Sequence, residues 1–137
     1  MITAPQKPQH PTIIRHTFDG TTHAARHARA WARHRLEALG VEPPTDLELI
    51  LSELATNAVA HSHSGDPGGT LAVRLKVYPD RVRVEVRDAG PLTGRTPTRR
   101  TPPLTAQHGR GLLLVDAFSR KWGRLPVGTG MWAEVAR

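Results

Sequence analysis

The 137 residues carry 19 Lys+Arg against 12 Asp+Glu, a formal charge of +7, and no cysteine. A chain of this length suits one domain able to bury a core without staples, and the missing thiols exclude disulfides, thiolate metal sites and cysteine nucleophiles. The charge favours anionic partners such as nucleotides, nucleic acids or acidic protein surfaces, without choosing among them.

Residues 1–11 are polar, with Pro5, Pro8 and Pro11, and read as a disordered arm. They lack the apolar centre of a signal peptide, and no later run approaches bilayer length, so a cytoplasmic protein is expected. Residues 12–18 are β-branched and aromatic and end at Asp19-Gly20, which predicts a strand at a sheet edge or a dimer contact. Across residues 22–39, Ala24, Ala28, Trp31, Ala32, Leu36 and Leu39 follow helical spacing, and Gly40 supplies the stop. The opposite face holds His23, Arg26, His27, Arg29, Arg33 and His34, either a solvated charged face or a surface for phosphates or an acidic partner.

The central helix is expected from about Thr45, with Thr45 and Glu48 forming a capping box. Leu47, Ile50, Leu51, Leu54 and Ala58 fall on one apolar arc, and Glu53 and Asn57, four apart, share the polar stripe beside it. Such a pair alone is usually a solvated helix edge. An asparagine inside a helix among Ala55, Ala58 and Ala60, however, suits a place where a ligand approaches.

Residues 63–69 read as a loop. Leu71, Val73, Leu75 and Val77, then Val82, Val84 and Val86, alternate with polar residues around Pro79-Asp80, predicting an antiparallel hairpin with one buried face. Asp88 keeps the parity of the valines, so it either points inward in need of a donor or opens the turn with Ala89-Gly90-Pro91. Residues 89–108 lack periodicity and read as either a lid or a disordered segment, and Arg95, Arg99 and Arg100 within them would suit an anionic ligand. Gly109-Arg110-Gly111 is expected to open an apolar helix over residues 112–118, either as a flexible connection or as backbone placed to meet a phosphate at the helix N-terminus. Two short strands complete the chain, with Trp122 and Trp132 assigned to the core. The eight histidines form no zinc pattern, and nucleophile-elbow and Walker motifs are absent.

Three features occur in a fixed order: Glu53-x-x-x-Asn57 on a helix, Asp88-Ala89-Gly90 after a valine strand, and Gly109-Arg110-Gly111 at a helix beyond a long loop. Together they resemble the GHKL ATP-binding (Bergerat) fold of gyrase-type ATPases and histidine kinases. Glu-Leu-Ala-Thr-Asn-Ala-Val-Ala-His-Ser (residues 53–62) and His-Gly-Arg-Gly-Leu-Leu-Leu-Val (residues 108–115) look like the N-box and second glycine box of its small branch, the anti-sigma factor serine/threonine kinases of bacterial partner switching. The resemblance covers residues 12–136.

It implies an α+β fold, a two-layer sandwich of a mixed, mostly antiparallel sheet covered on one face by helices. Residues 12–137 would form one domain, with the lid at about 89–108. It also implies ATP and Mg²⁺ as cofactors, with Asn57 as the Mg²⁺ ligand, Asp88 accepting from the adenine amino group, and Gly90 and Thr129 nearby. Gly109, Arg110, Gly111 and Leu112 would hold the phosphates, and Glu53 would act as general base. The implied partners are a sigma factor, its antagonist carrying the acceptor serine, or both, with a possible homodimer; neither membrane nor nucleic acid is an expected partner. The chain departs from the family pattern at Leu92, after Pro91, which stiffens the lid hinge, and at Gly130, which leaves the usual adenine-side threonine one residue early at Thr129. These departures support the alternative of a non-catalytic binding module acting by protein contact with weak or no ATP binding.

Overall fold

The structure, a computed structural model, describes residues 10–92 and 106–137, the side chains of 106–111 excepted. Most of the expected arm and lid lie outside the described residues. The elements run β1 (Thr12–Asp19), α1 (Ala24–Ala38), α2 (Leu47–His61), a 3₁₀ turn (His63–Gly65), β2 (Thr70–Val77), β3 (Arg81–Arg87), α3 (Ala106–Phe118), β4 (Lys121–Arg124) and β5 (Gly130–Ala136). The sheet order is β1-β2-β3-β5-β4, and all four pairings are antiparallel, so the expected mixed sheet is antiparallel throughout among the described residues. β1 is an edge, as its sequence predicts.

Alternation decides the faces. Leu71, Val73, Leu75, Val77, Val82, Val84 and Val86 are buried against the helices with Ala133 and Val135. From α1 the core takes Leu36 and Ala24, Ala28 and Ala32, and the three small alanines let the helix lie close. The helix ends as predicted: Val41 N–H donates to Leu36 O at 2.9 Å and Gly40 N–H to Glu37 O at 2.9 Å, the paired bonds of a Schellman cap. From α2 the core takes Leu47, Ile50, Leu51, Leu54, Ala55 and Ala58, the predicted arc with one addition.

Three local expectations are corrected. Helix α2 begins at Leu47, and Asp46 at its N-cap makes no side-chain cap bond. Glu48 turns instead to α1, accepting from Arg33 Nε at 3.0 Å and Nη2 at 2.7 Å. A two-point charge-assisted pair outcompetes a cap built on a neutral hydroxyl, and it holds the Glu48 carboxyl below the ordinary range. Helix α3 begins at Ala106, so the glycine pair lies within its first turns rather than in front of it; Ala106, Gln107 and His108 are all tolerated helix residues. Trp132 is not in the core. It pairs with Glu85 on the uncovered face, under the Arg83 guanidinium 4.0 Å from its ring centroid. Trp122 does pack against the core, its indole N–H donating to Asp116 at 2.8 Å.

Candidate functional site

The polar stripe of α2 and the turn after β3 are fastened together at the C-terminal end of α2. Ser62 is buried and donates to Ala58 O at 2.6 Å, closing the helix, while its Oγ accepts from Ser64 N–H at 3.0 Å. Ser64, fully buried, accepts from Ala89 N–H at 3.0 Å. The His63 N–H donates to Gly90 O at 2.9 Å, and Ser62 forms an isolated antiparallel bridge with Pro91. Three successive residues past α2 thus hold the backbone of Ala89, Gly90 and Pro91. Pro91, whose ring fixes its own backbone, is thereby also tied to Ser62.

Asp88 lies one residue beyond β3 and is half-buried. Of the two alternatives left open by sequence, its side chain opens the turn: Oδ1 accepts from Gly90 N–H at 2.8 Å. A carboxylate offers about four acceptor directions, so this bond leaves Asp88 able to take a further donor. Gly90 has φ +99°, and a β-carbon there would meet nothing within 4 Å, so the turn presents open backbone beside the carboxylate.

The threonine offset is also explained. Gly130 opens β5 opposite Arg87, where a β-carbon would fall 2.0 Å from Val86 O, so no larger residue fits without moving the strand. Thr129 sits just before the strand, across from Asp88: Asp88 N–H donates to Thr129 O at 3.0 Å, and Thr129 Oγ1 donates to Asp88 O at 3.1 Å. The hydroxyl is therefore brought beside Asp88 but occupied by its carbonyl.

Glu53 and Asn57 are half-buried on α2, one turn apart, next to buried Leu54 and Ala58. Neither side chain hydrogen-bonds to another described residue. Asn57 thus keeps a neutral oxygen donor at the boundary of the core, chemistry that fits one protein ligand of a hard, largely hydrated cation such as Mg²⁺. Gly109, Arg110 and Gly111 are backbone positions in α3, a helix packed against α2, and Leu112 is half-buried. The clasp ties the C-terminal end of α2, the helix that carries Glu53 and Asn57, to the turn of Asp88 and Gly90, to which Thr129 is bonded, and α3 packs on α2. The side chain of Arg110 lies outside the described residues. No group of three or more His, Cys, Asp or Glu is placed to hold a metal among the described residues, and no helix there is long and apolar enough to cross a membrane.

Sequence reasoning missed the clasp. Ser62 was visible only as the last letter of a motif and Ser64 as a loop residue; the signal was a Ser-x-Ser directly after a helix, which fits a cap but names no distant partner. Two surface grooves, of about 550 and 530 Å³, lie elsewhere, and neither is lined by Glu53, Asn57 or Asp88.

A five-stranded antiparallel sheet with three helices is an α+β architecture consistent with a GHKL-type ATPase fold. The family described as Histidine kinase-like ATPase domain matches residues 16–131, and the chain belongs to it. Among curated proteins it is similar to the serine-protein kinase RsbW of Bacillus pumilus (strain SAFR-032), 38% identical over 88 residues, covering 63% of this chain and 47% of the relative. The serine-protein kinase RsbW of Bacillus subtilis (strain 168) is 34% identical over 86 residues, covering 63% and 46%. The anti-sigma F factor of Geobacillus stearothermophilus is 28% identical over 79 residues, 54% of each chain. The chain spans about half the length of the curated relatives it matches.

Proposed function

We propose that this chain is a cytoplasmic Mg-ATP-binding regulator that sequesters a sigma factor and phosphorylates a serine or threonine on that factor's antagonist. The observation that carries the reading is the clasp from Ser62, His63 and Ser64 to Ala89, Gly90 and Pro91, because it ties the Asn57 helix to the Asp88 turn. The names of the relatives, a serine-protein kinase and an anti-sigma F factor, supply the reaction and the partner class.

In this reading Asp88 accepts from the adenine amino group, with its turn held by Gly90 and Thr129, and Asn57 ligates Mg²⁺. The backbone of Gly109, Arg110, Gly111 and Leu112 cradles the phosphates. Bound Mg-ATP supplies a γ-phosphoryl group whose charge the cation neutralises. Glu53 would take the proton of the acceptor hydroxyl as its oxygen bonded to the γ-phosphorus and the bond to the β-phosphate oxygen broke, releasing ADP. The Thr129 hydroxyl proton, spent on the Asp88 carbonyl, favours the second reading, a fold kept for protein contact with weak nucleotide binding.

Titration calorimetry of Mg-ATP into wild type, Asn57→Ala and Asp88→Ala tests the site: binding that both variants weaken is expected. Glu53→Ala should keep nucleotide binding and lose phosphoryl transfer to a candidate antagonist. Absence of wild-type binding at millimolar nucleotide, weaker than about −4 kcal/mol, gives the contact-only reading the lead.

A further inference from the structure

The face of the sheet turned away from the helices carries an ordered array of charge. One row crosses all five strands as Arg15, Arg74, Glu85, Trp132 and Gly123 in direct register; the next runs Ile13, Lys76, Arg83, Glu134 and Lys121. With Arg81 and Arg87 on β3, the face holds seven basic side chains against Glu85, Glu134 and, at the rim of β1, Asp19. Arg15 stands directly opposite Arg74, a like-charge pair that weakens a sheet unless an anion offsets it.

The carboxylates on the face are already shared. Glu85, only 7% exposed, accepts from Arg83 at 2.9 Å and lies 3.4 Å from Lys76 and 3.9 Å from Arg74. Glu134 is 3.5 Å from both Arg81 and Arg83. Arg15, Arg87 and Lys121 have no carboxylate partner among the described residues. Buried Glu85 and half-buried Glu134 thus hold the centre of the array in place while its margins keep unneutralised cations.

We propose that this open face docks an extended acidic segment of a partner protein. Basic side chains two apart on a strand repeat at about 7 Å, the repeat of alternate carboxylates on an extended chain, and guanidinium forks match carboxylates in two-point bonds. A second copy of this face is disfavoured, because each would present the same excess of positive charge. Single-stranded nucleic acid is disfavoured by Trp132: such readers stack bases on aromatic rings, and this ring lies under Arg83 and against β4, where a β-carbon at Gly123 would come 3.2 Å from the indole nitrogen. The proposal does not depend on nucleotide binding.

The test is fluorescence anisotropy of a labelled ten-residue Glu/Asp peptide with wild-type protein, the sheet variant Arg15→Glu/Arg74→Glu, and the helix variant Arg26→Glu/Arg35→Glu, which makes the same charge change on α1. The sheet variant should weaken peptide binding about tenfold or more and the helix variant less than about twofold. Amide chemical shifts of the wild-type protein titrated with the peptide should move on β1, β2 and β3 rather than α1, a readout that needs no variant to fold. Equal losses in both variants, shifts confined to α1, or no peptide binding would overturn the proposal. So would tighter binding of a ten-nucleotide single strand lost in the sheet variant, or a wild-type dimer in sedimentation that the sheet variant dissolves.

Discussion

On the covered side of the sheet Val73, Leu75, Val82 and Val84 are buried, while one residue along the same strands Arg74, Lys76, Arg83 and Glu85 form a charged lattice on the open side. Both faces are ordered, by different means. The covered face is held by area removed from water, which is large, non-directional and indifferent to pH. The open face is held by pairings that depend on charge and geometry. Substitutions on the first should read as stability, and on the second as binding and pH response. The clasp at the end of α2 sits where the two regimes meet, because its serines are buried yet act through hydrogen bonds.

The largest effect that would sharpen this contrast is Leu54→Ala. The side chain is 1% exposed between the helices and the sheet, so chemical denaturation should show a loss of about 2–5 kcal/mol, with little pH dependence. Ser64→Ala should cost about 1–3 kcal/mol by leaving the Ala89 N–H unpaired. Its nucleotide affinity should fall while Ser64→Thr recovers part of it; a variant that loses stability with nucleotide affinity intact would separate the clasp from the site.

The open face predicts an acid response. Burial opposes the charged form of Glu85, but the bond from Arg83 and the charge of Lys76 outweigh it and hold the carboxyl below the ordinary range. A depressed folded value means that this group stabilises the fold above the unfolded pKa of about 4.3, and that the contribution is lost as pH falls through the lower folded value. Thermal midpoints should therefore drop more steeply with acid in wild type than in Glu85→Gln, and parallel pH profiles would count against the lattice. The smallest effect is expected at Thr45→Ala. A working cap would cost about 1 kcal/mol, whereas a hydroxyl outside the cap should leave stability within about 0.5 kcal/mol.

Period and punctuation were written in the sequence. Alternation over residues 71–77 and 82–86, the Leu47-Ile50-Leu51-Leu54-Ala58 arc, the Gly40 stop and the ordered Asn, Asp and Gly boxes led to the hairpin, the helices and the family, because each depends on neighbours a few residues away. Partner choice was not written there. Glu48 left Thr45 for Arg33, Ser64 found Ala89, the Thr129 hydroxyl found Asp88, and Trp132 took the open face because a strand starting at Gly130 sets its parity. Each of these contacts joins positions 15 to 41 residues apart, or a strand to its register, and competes with a local alternative of similar energy. Local periodicity therefore fixed which residues are buried, and only the packed chain decided which polar group each of the others would meet.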